Sequence, residues 1–242
     1  MNVLRDQVYQ AFLERINEKA EVDVYFHHHN LTVFEKLIEE NLNNFTHFVV
    51  VTFFRKNPSS ILNKIPPHKR IILDHAEPGL EGNYSCIYQD HRSDLVESLT
   101  VLLPKLDKYK RLILVAPPEA FHAKDLIEGF QTFAAQHQKS HKIIHQVEPL
   151  SFNKGDAYIT FNRYDRDDVD IIKLCQIKKW ELGKDIGLIS YNDTAVKEVL
   201  AGGITVISSD FYKMGEKAAD VILSGIPIQQ RDPARVIIRN SL

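Results

Sequence analysis

Five short polar stretches in this chain combine residue types that could bind a small molecule. They are His27-His28-His29, Gln89-Asp90, Phe121-His122, Asn162-Arg163 and Tyr191-Asn192-Asp193. Each of the last four follows a short apolar run, where a buried strand would release its chain at the edge of a sheet. An Asn amide beside an Asp carboxylate supplies hydrogen-bond donors and acceptors together, and a carboxylate such as Asp90 accepts two hydroxyls at once. An aromatic ring beside a polar tip, as in Phe121-His122, suits a sugar, whose C–H face packs on the ring. Arg163 could present its planar fork to a hydroxyl pair or a carboxylate.

Each stretch also has an ordinary reading. Asp90 is equally suited to cap a helix, and Asn192-Asp193 to close a turn on its own backbone. Phe121 could staple the helix that follows, and Arg163 could belong to the solvated run RYDRDD. On a strand, His27 and His29 share one face and His28 takes the other, so two histidines would need a third ligand to hold zinc. No third ligand is evident, and no metal or cofactor is expected.

The elements that must position these residues alternate. Strands are expected at 22–28, 46–53, 69–75, 84–88, 111–116, 141–147, 157–161, 186–191, 204–208 and 235–239. Helices are expected at 2–19, 31–43, 90–104, 119–137, 166–181, 194–200 and 210–223, with Pro104 ending the third. Near-continuous apolar strands separated by amphipathic helices predict an α/β fold with parallel sheets buried on both faces. Asp210 is placed to cap the last helix, and Ser224-Gly225 followed by Pro227 to stop it. The chain begins on a helix where such folds begin on a strand, so either the first strand is missing or 22–28 takes its place.

Composition narrows the function. The 242 residues carry a net charge of −2, which gives no electrostatic case for gripping nucleic acid or an anionic membrane. The N-terminal MNVLRDQVYQAFLERI lacks the build of an export signal, and no apolar stretch is long enough to span a bilayer, so the expected location is cytoplasmic. The two cysteines, Cys86 and Cys175, read as buried reduced thiols. Glycine-rich phosphate loops, a nucleophile elbow, HExxH and paired CxxC motifs are all absent from the sequence, which argues against the common enzyme classes.

Three consecutive pieces add a resemblance. GKDIGLISYNDT (183–194), AGGITVISSDF (201–211) and MGEKAADVIL (214–223) resemble, in order and spacing, the effector-binding core of LacI-type transcription factors, which share a fold with periplasmic sugar-binding proteins. IYQD (87–90) and IEGF (127–130) match more weakly. Two departures stand out. Leu126 occupies a position where the family usually has arginine, leaving Lys124 or His122 to substitute, and Gly202-Gly203 replaces a proline.

The resemblance implies two Rossmann-like subdomains joined by three crossovers, with residues 1–106 and 209–226 in one and 107–208 and 227–242 in the other. It implies a monosaccharide effector, arabinose-like or fucose-like, held in a cleft between them by Gln89, Asp90, Phe121, His122, Asn162, Arg163, Tyr191, Asn192 and Asp193. It further implies a homodimer that reaches operator DNA only through a head domain, LacI-like or GntR-like, which these residues do not include. The rivals are a transport sugar-binding protein, which would carry an export signal, and an enzyme using His122 with Asp193 as acid and base.

Overall fold

The computed structural model describes residues 3–118, 121–161 and 166–242. The chain divides into two compact units, Met1–Asp90 with Asp210–Asp232, and His91–Ser209 with Pro233–Leu242.

In the first unit, helix α1 (Val3–Ile16) is followed by α2 (Leu31–Asn41), strand β1 (Phe48–Val51), a short α3 (Ser59–Leu62), β2 (Arg70–Asp74) and β3 (Ser85–Tyr88). The second unit runs α4 (His91–Leu106), β4 (Arg111–Val115), α5 (Ala123–Gln136), β5 (His141–Ile144), β6 (Asp156–Thr160), α6 (Arg166–Lys178), β7 (Gly187–Tyr191), α7 (Ala195–Val199) and β8 (Thr205–Ser208). The chain then returns α8 (Phe211–Ser224) and β9 (Gln229–Arg231) to the first unit and ends on β10 (Arg235–Ile237) in the second.

The central strands of both sheets are buried on two faces, and the edge strands are partly exposed. The first sheet is parallel throughout, in the order β1-β2-β3-β9. The second has the order β10-β8-β7-β6-β4-β5, with only β10 antiparallel to its neighbour. Every residue of β2, β6, β7 and β8 is buried, as the unbroken apolar runs foretold. Glycine allows two close helix approaches. A Cβ on Gly129 of α5 would lie 2.7 Å from the Arg92 carbonyl of α4, and one on Gly215 of α8 would lie 2.2 Å from the Val8 carbonyl of α1. The C-terminal helix is bounded as expected: the Asp210 side chain accepts from the Lys213 N–H at 3.0 Å, and Gly225 closes it at φ 67°.

Four expectations need correction. Residues 22–28 form no strand, although VDVYFHH alternates correctly, because no neighbouring strand pairs with them among the described residues. Helix α4 does not end at Pro104 but runs to Leu106, since Leu102 and Leu106 on its buried face pack into the second unit's core. That packing also moves the first unit boundary from 106 to 90: α4 lies against α5, and the Asp94 carboxylate accepts from the Ala234 N–H at 3.1 Å. Finally, β9 was missed, because Gln229-Gln230-Arg231 is a polar edge strand without an apolar signature.

Candidate functional site

Strands β4, β6 and β7 are neighbours and run parallel, so their carboxyl ends release Ala116, Phe161 and Asn192 on one edge of the second unit's sheet. Open parallel sheets bind ligands at this edge. The loop after β4 returns to α5 through Phe121 and His122, and α4 begins with His91.

These elements assemble an aromatic and imidazole cluster. The His91 and His122 rings lie 3.9 Å apart, and Phe121 meets His122 edge-on at 5.2 Å. Tyr191 packs on Phe161 at 4.1 Å and turns an edge to His91 at 6.5 Å. Tyr191 is 2% exposed, whereas Phe121 is 39% exposed, so the cluster grades from a buried floor to an open rim. Burial pushes the Tyr191 hydroxyl well above its usual range, and the Asp94 carboxylate adds to the effect. Two buried polar atoms, Tyr191 Oη and Asn192 Oδ1, have no hydrogen-bond partner among the described residues. A buried hydroxyl or amide left in that state costs roughly 1–3 kcal/mol, which a hydrogen-bonding partner would recover.

The turn carrying Asn192 is held from beneath. Asn192 sits in the left-handed region at φ 59°, a conformation asparagine tolerates, and its N–H bonds the Ile207 carbonyl at 2.8 Å. Lys197, 1% exposed, donates from Nζ to the carbonyls of Tyr191 at 2.8 Å and Asn192 at 3.0 Å. Its ammonium is 3.7 Å from Asp168, whose carboxylate accepts from Thr160 at 2.5 Å and Ser190 at 2.6 Å.

Asp193 faces elsewhere. Its two oxygens take a bidentate fork from Arg239 at 2.7 and 2.8 Å, and one of them also accepts from the Thr194 N–H at 3.0 Å. The Asp193 N–H bonds Ser208 Oγ at 3.0 Å. Arg239 donates further to the Ile204 carbonyl at 3.0 Å, so the pair ties the β7 turn to the chain's C-terminal segment.

Gln89 and Asp90 close the first unit's leading segment, and Gln89 donates its amide to the buried Asp74, whose carboxyl is pushed above its usual range by burial. Asn162 and Arg163 lie outside the described residues. His27 accepts from the His29 N–H at Nδ1, which leaves Nε2 to donate to the Val51 carbonyl at 3.2 Å. His29 donates from Nδ1 to the Phe53 carbonyl at 2.8 Å. Among the described residues no three His, Cys, Asp or Glu side chains converge as metal ligands, and no helix is long and apolar enough to cross a membrane. Sequence reasoning missed His91 and Lys197; a histidine directly after Asp90 at a helix start was the available signal for the first, and the second had none.

Comparison with known proteins identifies the fold. Residues 107–242 match the family model described as a periplasmic binding protein-like domain. No curated protein sequence matches the chain. Among solved structures, a periplasmic binding ribose operon repressor protein from Lactobacillus acidophilus aligns with TM-score 0.77 at 19% identity, covering 99% of this chain and 94% of that one. A periplasmic binding protein/LacI transcriptional regulator from Alkaliphilus metalliredigens, complexed with D-xylulofuranose, aligns with TM-score 0.72 at 14% identity over 99% and 94%. A dimeric Lac repressor with a C-terminal deletion aligns with TM-score 0.71 at 14% identity over the same shares. The chain belongs to the periplasmic binding protein-like domain family, with the fold of LacI-type effector-binding domains.

Proposed function

We propose that the chain is the effector-sensing part of a transcription regulator and that it binds a monosaccharide on the second unit's sheet edge. One observation carries the reading: Tyr191 Oη and Asn192 Oδ1 are buried without hydrogen-bond partners among the described residues, beside an aromatic cluster. A sugar supplies both needs, hydroxyls for the orphaned atoms and a C–H face for Phe121 and Phe161. The Alkaliphilus relative was crystallised with a pentulose, and the Lactobacillus relative is named for a ribose operon, which supports a small sugar. An arabinose-like or fucose-like effector remains within that class.

His91, His122, Phe121, Tyr191 and Asn192 are the proposed contacts in this unit, joined by Asn162 and Arg163 on the segment after β6. Gln89 and Asp90 are the first unit's candidates. Asp193 acts as a brace, because its carboxylate is already engaged by Arg239. The same engagement speaks against an acid–base pair of His122 with Asp193, so no chemical step is assigned. Binding would bias the conformations of a homodimer read by a DNA-binding head outside this chain. Calorimetric titration of wild type, Tyr191→Phe and Asn192→Ala with aldopentoses and 6-deoxyhexoses tests the reading. Tight binding to wild type and at least tenfold weaker binding to both variants is expected; equal binding to all three would sink it.

A further inference from the structure

Lys197 has no route to solvent, yet its ammonium sits under the two residues that carry the orphaned polar atoms. Both the Tyr191 and Asn192 carbonyls point at it, at 2.8 and 3.0 Å. Two successive carbonyls turned toward one cation fix both peptide planes, and with them the left-handed backbone at Asn192. The ammonium is in turn held near Asp168, which also accepts from the ends of β6 and β7 through Thr160 and Ser190. Four elements, β6, β7, α6 and α7, thus meet at one buried charge pair beneath the turn that carries Asn192. A neutral side chain at 197 would leave two inward carbonyls without a donor, and the turn would relax toward extended backbone.

We propose that Lys197 is a positioning residue for effector binding: it never touches the sugar, but sets the orientation in which Asn192 and Tyr191 present their side chains. The inference rests on the proposed sugar site for its consequence and on the hydrogen-bond geometry for its cause, so the two are tested separately.

The variants are Lys197→Met and the charge-balanced Lys197→Met/Asp168→Asn, the second removing the buried carboxylate that the first would strand. In sugar-free protein, the 13Cα and 13Cβ shifts of Asn192 report its backbone region. They are expected at left-handed values in wild type and shifted toward extended values in both variants; unchanged shifts in the folded double variant overturn the proposal. With L-arabinose and L-fucose as probes, any sugar that binds wild type is expected to bind the double variant at least tenfold more weakly. That loss should be clearly smaller when measured in an Asn192→Ala background, where only the Tyr191 contribution is left. A full, undiminished loss in that background, or wild-type affinity in the double variant, also overturns it. If neither sugar binds wild type, it is the sugar assignment that fails for these probes, and the carbon shifts alone decide the role of Lys197.

Discussion

Asp193→Ala separates brace from contact. The substitution removes a bidentate, charge-assisted fork and the acceptor for the Thr194 N–H, and leaves the Arg239 guanidinium with the Ile204 carbonyl and the Glu198 charge. Hydrogen bonds to charged groups contribute about 1.5–3 kcal/mol, and losing an acceptor at a helix start costs about 1 kcal/mol. The pair is partly open, with side chains 27% and 15% exposed, so solvent screening reduces the ionic part. We expect a net loss of about 2–3 kcal/mol, which in a unit of this size lowers Tm by about 5–10 °C. Differential scanning calorimetry measures this, and titration at a temperature where both proteins are folded measures affinity. Sugar affinity should stay within about threefold. Asn192→Ala should show the opposite pattern, with stability within about 1 kcal/mol of wild type, because the strain of a left-handed alanine is offset by removing an unpaired acceptor. An Asp193→Ala protein with unchanged Tm but abolished sugar binding would refute this division of labour.

Three further outcomes follow from the packing and the buried groups. Gly215→Ala places a methyl against the Val8 carbonyl and should force α1 off α8, costing about 1–3 kcal/mol by chemical denaturation, while Ala at the exposed Lys213 of the same helix costs less. Burial pushes the Cys86 thiol up to about 12 and the Cys175 thiol up to about 11, so a disulfide reagent at pH 8 should leave both unreacted in native protein and modify both in guanidinium; rapid native reaction would contradict their placement. The Asp74 carboxyl is raised by burial, so the stability its neutral form contributes is present at low pH and lost as pH rises through its folded value. Asp74→Asn, which suits the left-handed φ of 79° and still accepts from Gln89, should therefore be more stable than wild type at pH 8, by a margin that narrows as pH falls toward the carboxylate range.

The parallel sheets were legible because runs such as RLILV and GLISY are apolar on both faces, a pattern few other environments require. VDVYFHH has equally good local chemistry and still forms no strand, since a strand exists only with a neighbour and sequence does not announce the neighbour. Gln229-Gln230-Arg231 shows the converse: backbone pairing to β3 makes a strand where side chains give no hint. Helix α4 was recognised but placed in the wrong unit, because an apolar helix face does not name the core it joins, and the contacts with α5 and Ala234 decide. At the site, YNDT was legible as a polar strand end. That Asp193 looks toward Arg239, 46 positions away, and Asn192 does not, is a tertiary fact.

The central claim is that Tyr191 Oη and Asn192 Oδ1, buried without hydrogen-bond partners among the described residues, are completed by a monosaccharide. The most direct measurement is a calorimetric titration of the wild-type chain with a panel of aldopentoses, pentuloses and 6-deoxyhexoses, repeated on Tyr191→Phe/Asn192→Ala. The account predicts saturable binding of at least one sugar with one site per chain, lost in the double variant while its unfolding transition is retained. Binding of no monosaccharide, or undiminished sugar binding by the folded double variant, would contradict it.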